Sequence, residues 1–166
     1  MYSPKAWPAN VARATTDEPI RYAIFDVDLT KIGNGLTGYP RDLTNSGTTT
    51  GFNEGDFYLP AGSTVLRVVW STTEIAAGGT SWTIGTYLQD GTIVDADSLM
   101  TATEAVLANA DHLGDKIVGA GAYTAATAGT SGPGTANEFI AVYVTGTFTA
   151  GKGRVMIEYL DGATAV

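Results

Sequence analysis

A chain of 166 residues is long enough to bury the core of one domain. Its net charge is −8, and its nine Lys and Arg are spread thinly, which argues against the clustered basic surface that DNA or RNA binding needs. It has no cysteine, so disulfides, thiolate metal sites and cysteine catalysis are excluded, and no apolar run approaches the roughly 20 residues of a membrane span.

Glycine (21 residues) and threonine are abundant and only 16% of residues are charged. Glycine weakens helices and threonine favours strands, so the composition predicts a mainly β protein. Residues 1–20 contain Pro4, Pro8 and Pro19 and no periodic pattern, and the opening MYSPKAWPAN lacks the apolar core of a signal peptide. The expectation is an extended N-terminal arm over 1–20 with Tyr2, Trp7 and Val11 as apolar anchors, followed by a single β-sandwich domain over 21–166.

Residues 21–30 alternate, with Ala23, Phe25, Val27 and Leu29 on one side and Tyr22, Ile24, Asp26 and Asp28 on the other. That is the period of a half-buried strand. Residues 31–56 read as loop. Phe57 and Leu59 lead into a Pro60-Ala61-Gly62 turn, and Val65 to Ile75 forms a long strand. Gly78-Gly79 makes a turn into a strand carrying Trp82, Ile84, Thr86 and Leu88. Asp90-Gly91 then signals a hairpin returning through Thr92 to Val94. Residues 97–110 read as one short helix, since Leu99, Val106 and the following Leu113 recur at sevenfold spacing and Thr101 to Glu104 has capping-box spacing. Lys116 to Tyr123 reads as a strand and 124–136 as a loop. Phe139 to Phe148 and Arg154 to Leu160 read as a closing hairpin. About eight strands with one helix disfavour a parallel α/β sheet and fit an antiparallel β-sandwich of jelly-roll type.

The sharpest chemical signal is Asp26-Val27-Asp28-Leu29-Thr30, which matches the D-x-D-x-T motif of haloacid-dehalogenase-like phosphotransferases. That chemistry needs a later Lys and a further acidic pair for Mg²⁺, and no second carboxylate follows Asp115 until Glu138. The plain alternative is an amphipathic strand with both carboxylates on its wet face, and the residues favour it. Asp90, Asp95 and Asp97 could offer oxygens to Ca²⁺ but match no defined calcium loop. His112 is the sole histidine, which rules out a multi-His metal site within one chain. No G-x-S-x-G or phosphate-loop motif occurs, and His112 reads as a partner for the helix C-terminus. Trp7, Trp70 and Trp82 could stack on sugars, though Trp70 and Trp82 sit in strand patterns that mark them as core. The residues therefore predict no enzyme, no cofactor and no metal centre.

The stretch GDFYLPAGSTVLRVVWSTTEIAAGGTSWTIGTYLQDGTIVDADSLM, residues 55–100, resembles small structural proteins of tailed-bacteriophage virions. NEFIAVYVTGTFTAGKGRVMIEYL, residues 137–160, is similar to their closing hairpin. The resemblance implies a head decoration or cement protein: a β-sandwich homotrimer seated on the outer surface of the capsid and bound to the major capsid protein. It implies assembly in the host cytoplasm, with which the lack of cysteine agrees. Two other classes fit the same residues, a tail or baseplate component and a carbohydrate-binding β-sandwich module.

Overall fold

In a computed structural model, residues 20–32, 58–88, 90, 92–124 and 132–161 are described, together with the backbone of 37–38. Nine strands follow one another: β1 (Ile20–Asp28), β2 (Thr37–Gly38), β3 (Tyr58–Leu59), β4 (Thr64–Ala77), β5 (Ser81–Tyr87), β6 (Ile93–Met100), β7 (Lys116–Val118), β8 (Glu138–Thr145) and β9 (Ala150–Leu160). They form two antiparallel sheets. One has the order β1-β9-β4-β7. The other has the order β2-β8-β5-β6, with β3 also paired to β8. All the connections but β2–β3 and β5–β6 pass from one sheet to the other, and this order in two facing sheets is the jelly-roll arrangement.

The alternation in 21–30 explains β1. Ala23, Phe25 and Val27 are buried while Tyr22, Ile24 and Asp26 face solvent. In β4 the alternation is interrupted. Val65 and Val68 are both buried, because a bulge between Val65 and Arg67 inserts one residue and restores the inward phase. Trp70 and Trp82 meet across the sheets with ring centroids 4.8 Å apart, and Phe148 stands edge-on to Trp82 at 6.0 Å. The Trp70 indole lies flat against Gly153 on the neighbouring strand, where any Cβ would collide with its ring. A tryptophan here requires a glycine there.

Three expectations need correction. The helix over 97–110 is absent. Leu99 and Met100 belong to β6, pairing toward β5, and only Leu107–Asn109 makes a single 3₁₀ turn. The capping contacts do form, since Thr101 N–H donates to Glu104 Oε2 (2.8 Å) and Thr103 N–H to Thr101 Oγ1 (3.2 Å). Propagation fails because Trp82 N–H takes the Ala105 carbonyl (3.0 Å) and Ser81 bridges Val106. The sheet captures the backbone before a second turn can form, and a short helix has little intrinsic stability to resist. The strand expected over Lys116 to Tyr123 stops at Val118, where Gly119 and Gly121 let the chain press against the β6 backbone. The closing hairpin is not a hairpin: β8 and β9 lie in different sheets.

Candidate functional site

The two aspartates of the D-x-D-x-T stretch have separate structural partners. Asp26 stands opposite Arg154 on β9 and accepts two hydrogen bonds from its guanidinium, from Nε at 2.8 Å and Nη2 at 3.1 Å. The pair is exposed, and this bidentate contact holds the Asp26 carboxyl below its usual range. Asp28 caps the 3₁₀ turn Leu29–Lys31, accepting from the Thr30 N–H (3.0 Å) and hydroxyl (2.6 Å). The motif is thus an ion pair followed by a cap, and the strand reading holds.

The Asp90, Asp95 and Asp97 carboxylates are likewise engaged in local bonds. Asp90 accepts from Thr92 N–H at 2.9 Å, the contact that lowers its pKa. Asp95 accepts from Asp97 N–H at 3.1 Å. The Asp97 carboxyl is raised, chiefly by its hydrogen bond to the Asp95 side chain.

One cluster did not emerge from the sequence. Asp111, His112 and Asp115 place one ligand atom each within 4.8 Å of one another. His112 Nδ1 lies 2.6 Å from Asp111 Oδ1 and 3.7 Å from Asp115 Oδ2, and Asp115 also accepts the His112 N–H at 2.8 Å. The imidazole is exposed. With no helix before it, it partners these two carboxylates rather than a helix end. An imidazole and two carboxylates suit a divalent cation chemically, yet here the donors already bond one another. Asp111 and Asp115 border an open cleft of about 560 Å³, which Glu104, Asn109 and Lys116 also line.

A second group is internal. Glu138 is 5% exposed and accepts the Tyr123 hydroxyl hydrogen bond at 2.8 Å. Thr86 and Ser98 hydroxyls meet nearby at 3.3 Å. Burial, reinforced by the Glu138 carboxylate, pushes the Tyr123 phenol well above its ordinary range. The only sequence signal was a carboxylate directly before the apolar run FIAVYV.

The outward face of the β1-β9-β4-β7 sheet is the most distinctive surface described. Ile20, Tyr22 and Ile24 stand exposed along β1, which pairs on one side only among the described residues. Lys152 bonds Glu74 at 2.8 Å and lies 4.0 Å from Asp28, tying three strands together. Trp70 and Trp82 are 1% and 0% exposed, so neither offers a face to a sugar. The anchors Tyr2, Trp7 and Val11, and with them the arm, lie outside the described residues. None of the helices described is long and apolar enough to cross a membrane.

No protein-family model matches the chain, and a search of curated proteins finds no match. Two solved structures are similar to the chain. One is a chain of the acid-stable capsid of Helicobacter pylori bacteriophage KHP30, at 16% identity and a TM-score of 0.46, covering 85% of this chain and 86% of that one. The other is a chain of the cyanophage Pam1 capsid, at 16% identity and a TM-score of 0.48, covering 87% of this chain and 86% of that one.

Proposed function

We propose that this chain is a non-enzymatic structural protein of a phage virion. In this reading it decorates the outside of the head and stabilises it by binding the major capsid protein. Residues 1–20 act as an anchoring arm and 21–166 as the decorating sandwich, assembled as a homotrimer. The observation that carries the reading is β1. Among the described residues it is a nine-residue edge strand, and it bears an outward apolar row of Ile20, Tyr22 and Ile24. Long edge strands are normally blunted, because they invite a further strand. An extended segment can add to such an edge through main-chain hydrogen bonds. On a symmetric shell each contact repeats with every copy, so modest contacts per copy accumulate. The net charge of −8 suits the outside of a shell, away from packaged DNA.

The test is decoration of empty heads by the full chain and by a chain lacking residues 1–19, which leaves β1 whole. The expected result is an unchanged melting curve with decoration lost. Undiminished decoration by the truncated chain would overturn the anchoring role, and failure of the full chain to decorate would overturn the cement reading.

A further inference from the structure

The outward face of the β1-β9-β4-β7 sheet is organised in rows that cross the strands, fixed by the pairing register. Its central row is apolar: Ile24, Met156, Val69 and Val118 lie side by side on β1, β9, β4 and β7. The two ends of that row, Ile24 and Val118, are each 51% exposed, whereas Val69 within it is buried. Rows of charge flank it. Glu158 on β9 lies beside Arg67 on β4, and Lys152 on β9 beside Glu74 on β4. A third row runs from Asp26 on β1 through Arg154 and Ser71 to Lys116 on β7.

Two properties of this face identify its occupant. Four carboxylates (Asp26, Asp28, Glu74, Glu158) are balanced there by four cations (Arg67, Lys116, Lys152, Arg154). The patch is therefore neutral in a chain of net charge −8, and it holds four of that chain's nine basic residues. The signs are also arranged across the sheet. In each charged row, a residue on the β1-β9 half is opposite in sign to one on the β4-β7 half.

We infer that this face pairs with the same face of a second copy, about a two-fold axis parallel to the strands. That rotation lays β9 over the partner's β4 and β1 over the partner's β7. Glu158 then meets the partner's Arg67, Asp26 the partner's Lys116, and Lys152 the partner's Glu74. Ile24 packs on the partner's Val118, and Arg154 meets the uncharged Ser71 of the partner subunit. A single face with complementary halves closes as an isologous pair. The complementary potentials set the register, and the apolar row supplies the area removed from water. The inference stands apart from the virion reading. On a closed shell, where two-fold and three-fold relations coexist, this contact would join neighbouring trimers.

The experiment is the solution mass of the full chain by light scattering across a concentration series. Wild type is expected to form an even-numbered assembly. Ile24→Asp should halve its mass and weaken pairing at least ~10-fold while leaving the melting curve in place. Glu158→Arg and Arg67→Glu should each dissociate the pair, since each sets like charges against the other copy. An equimolar mixture of these two variants restores both contacts and should regain the paired mass. A strictly monomeric wild type, an assembly whose mass Ile24→Asp leaves unchanged, or a mixture that stays dissociated would each overturn the inference.

Discussion

Near Trp82 the interior of the sandwich is aromatic and dry; near Thr86, four residues further along β5, it is polar. At the first end Trp70, Trp82 and Phe148 interlock, and Gly153 gives up its side chain so that an indole can lie on its backbone. Trp70 Nε1 reaches the Thr72 hydroxyl at 3.2 Å, whereas Trp82 Nε1 is buried with no hydrogen-bond partner among the described residues. At the second end buried polar side chains pair, Tyr123 with Glu138 and Thr86 with Ser98. One end is limited by volume and the other by hydrogen bonding. The lesson is that one strand can serve both, provided each end satisfies its own constraint.

The largest effect should come from the aromatic end. Trp70→Ala removes a fully buried ring and uncovers the Gly153 backbone, and it should cost about 3–5 kcal/mol in chemical denaturation. A loss no larger than that of an exposed substitution would show that the end is loosely packed.

The polar end should be less costly and pH-dependent. Tyr123→Phe leaves the buried Glu138 carboxylate without its hydroxyl donor, at about 1–3 kcal/mol, and Tyr123→Phe with Glu138→Gln should recover part of that. Because the folded phenol titrates above its unfolded value, its stabilising contribution is whole below about pH 10. It is lost as pH rises through the folded pKa. Wild type should therefore lose stability at high pH along a slope that Tyr123→Phe shallows; equal slopes would place no weight on this pair.

A smaller effect is expected at the Asp95–Asp97 pair, on the same strand as Ser98 but outside the core. The Asp97 pKa is raised, so the favourable shared-proton contribution is present below the unfolded value, about 3.9, and lost as pH rises through the folded one. Asp97→Asn should stabilise the neutral-pH protein by well under about 1 kcal/mol, since the group is exposed, and should flatten the acid limb of the stability profile. The smallest effect belongs to the surface: Asp26→Asn should shift stability within about ±0.5 kcal/mol. If it instead abolished hydrolysis of an aryl phosphate by the purified chain, the strand reading of D-x-D-x-T would fail.

How much was legible in the residues varied along the chain. The alternation from Ala23 to Val27 specified β1 and its buried face, because a period of two has one physical meaning in a strand. The tryptophans at 70 and 82 were readable as core for the same reason. The span 97–110 misled. Its sevenfold spacing and capping contacts are local signals, and the decisive bonds, Trp82 N–H to Ala105 and Ser81 with Val106, come from a strand some twenty residues earlier. The apparent closing hairpin misled likewise, since a turn of that length can return within a sheet or arch to the other one. Glu138 found its partner Tyr123 only through the fold.

By itself, then, the sequence determined a β-rich chain, the buried face of β1 and the glycine-rich turns. These follow from periodicity, backbone freedom and residue chemistry, all local. Which strands pair, which connections cross between sheets, and which charges share a row were decided by the tertiary structure alone. Those outcomes depend on contacts between residues as far apart as Asp26 and Arg154, and no local preference encodes a partner 128 positions away.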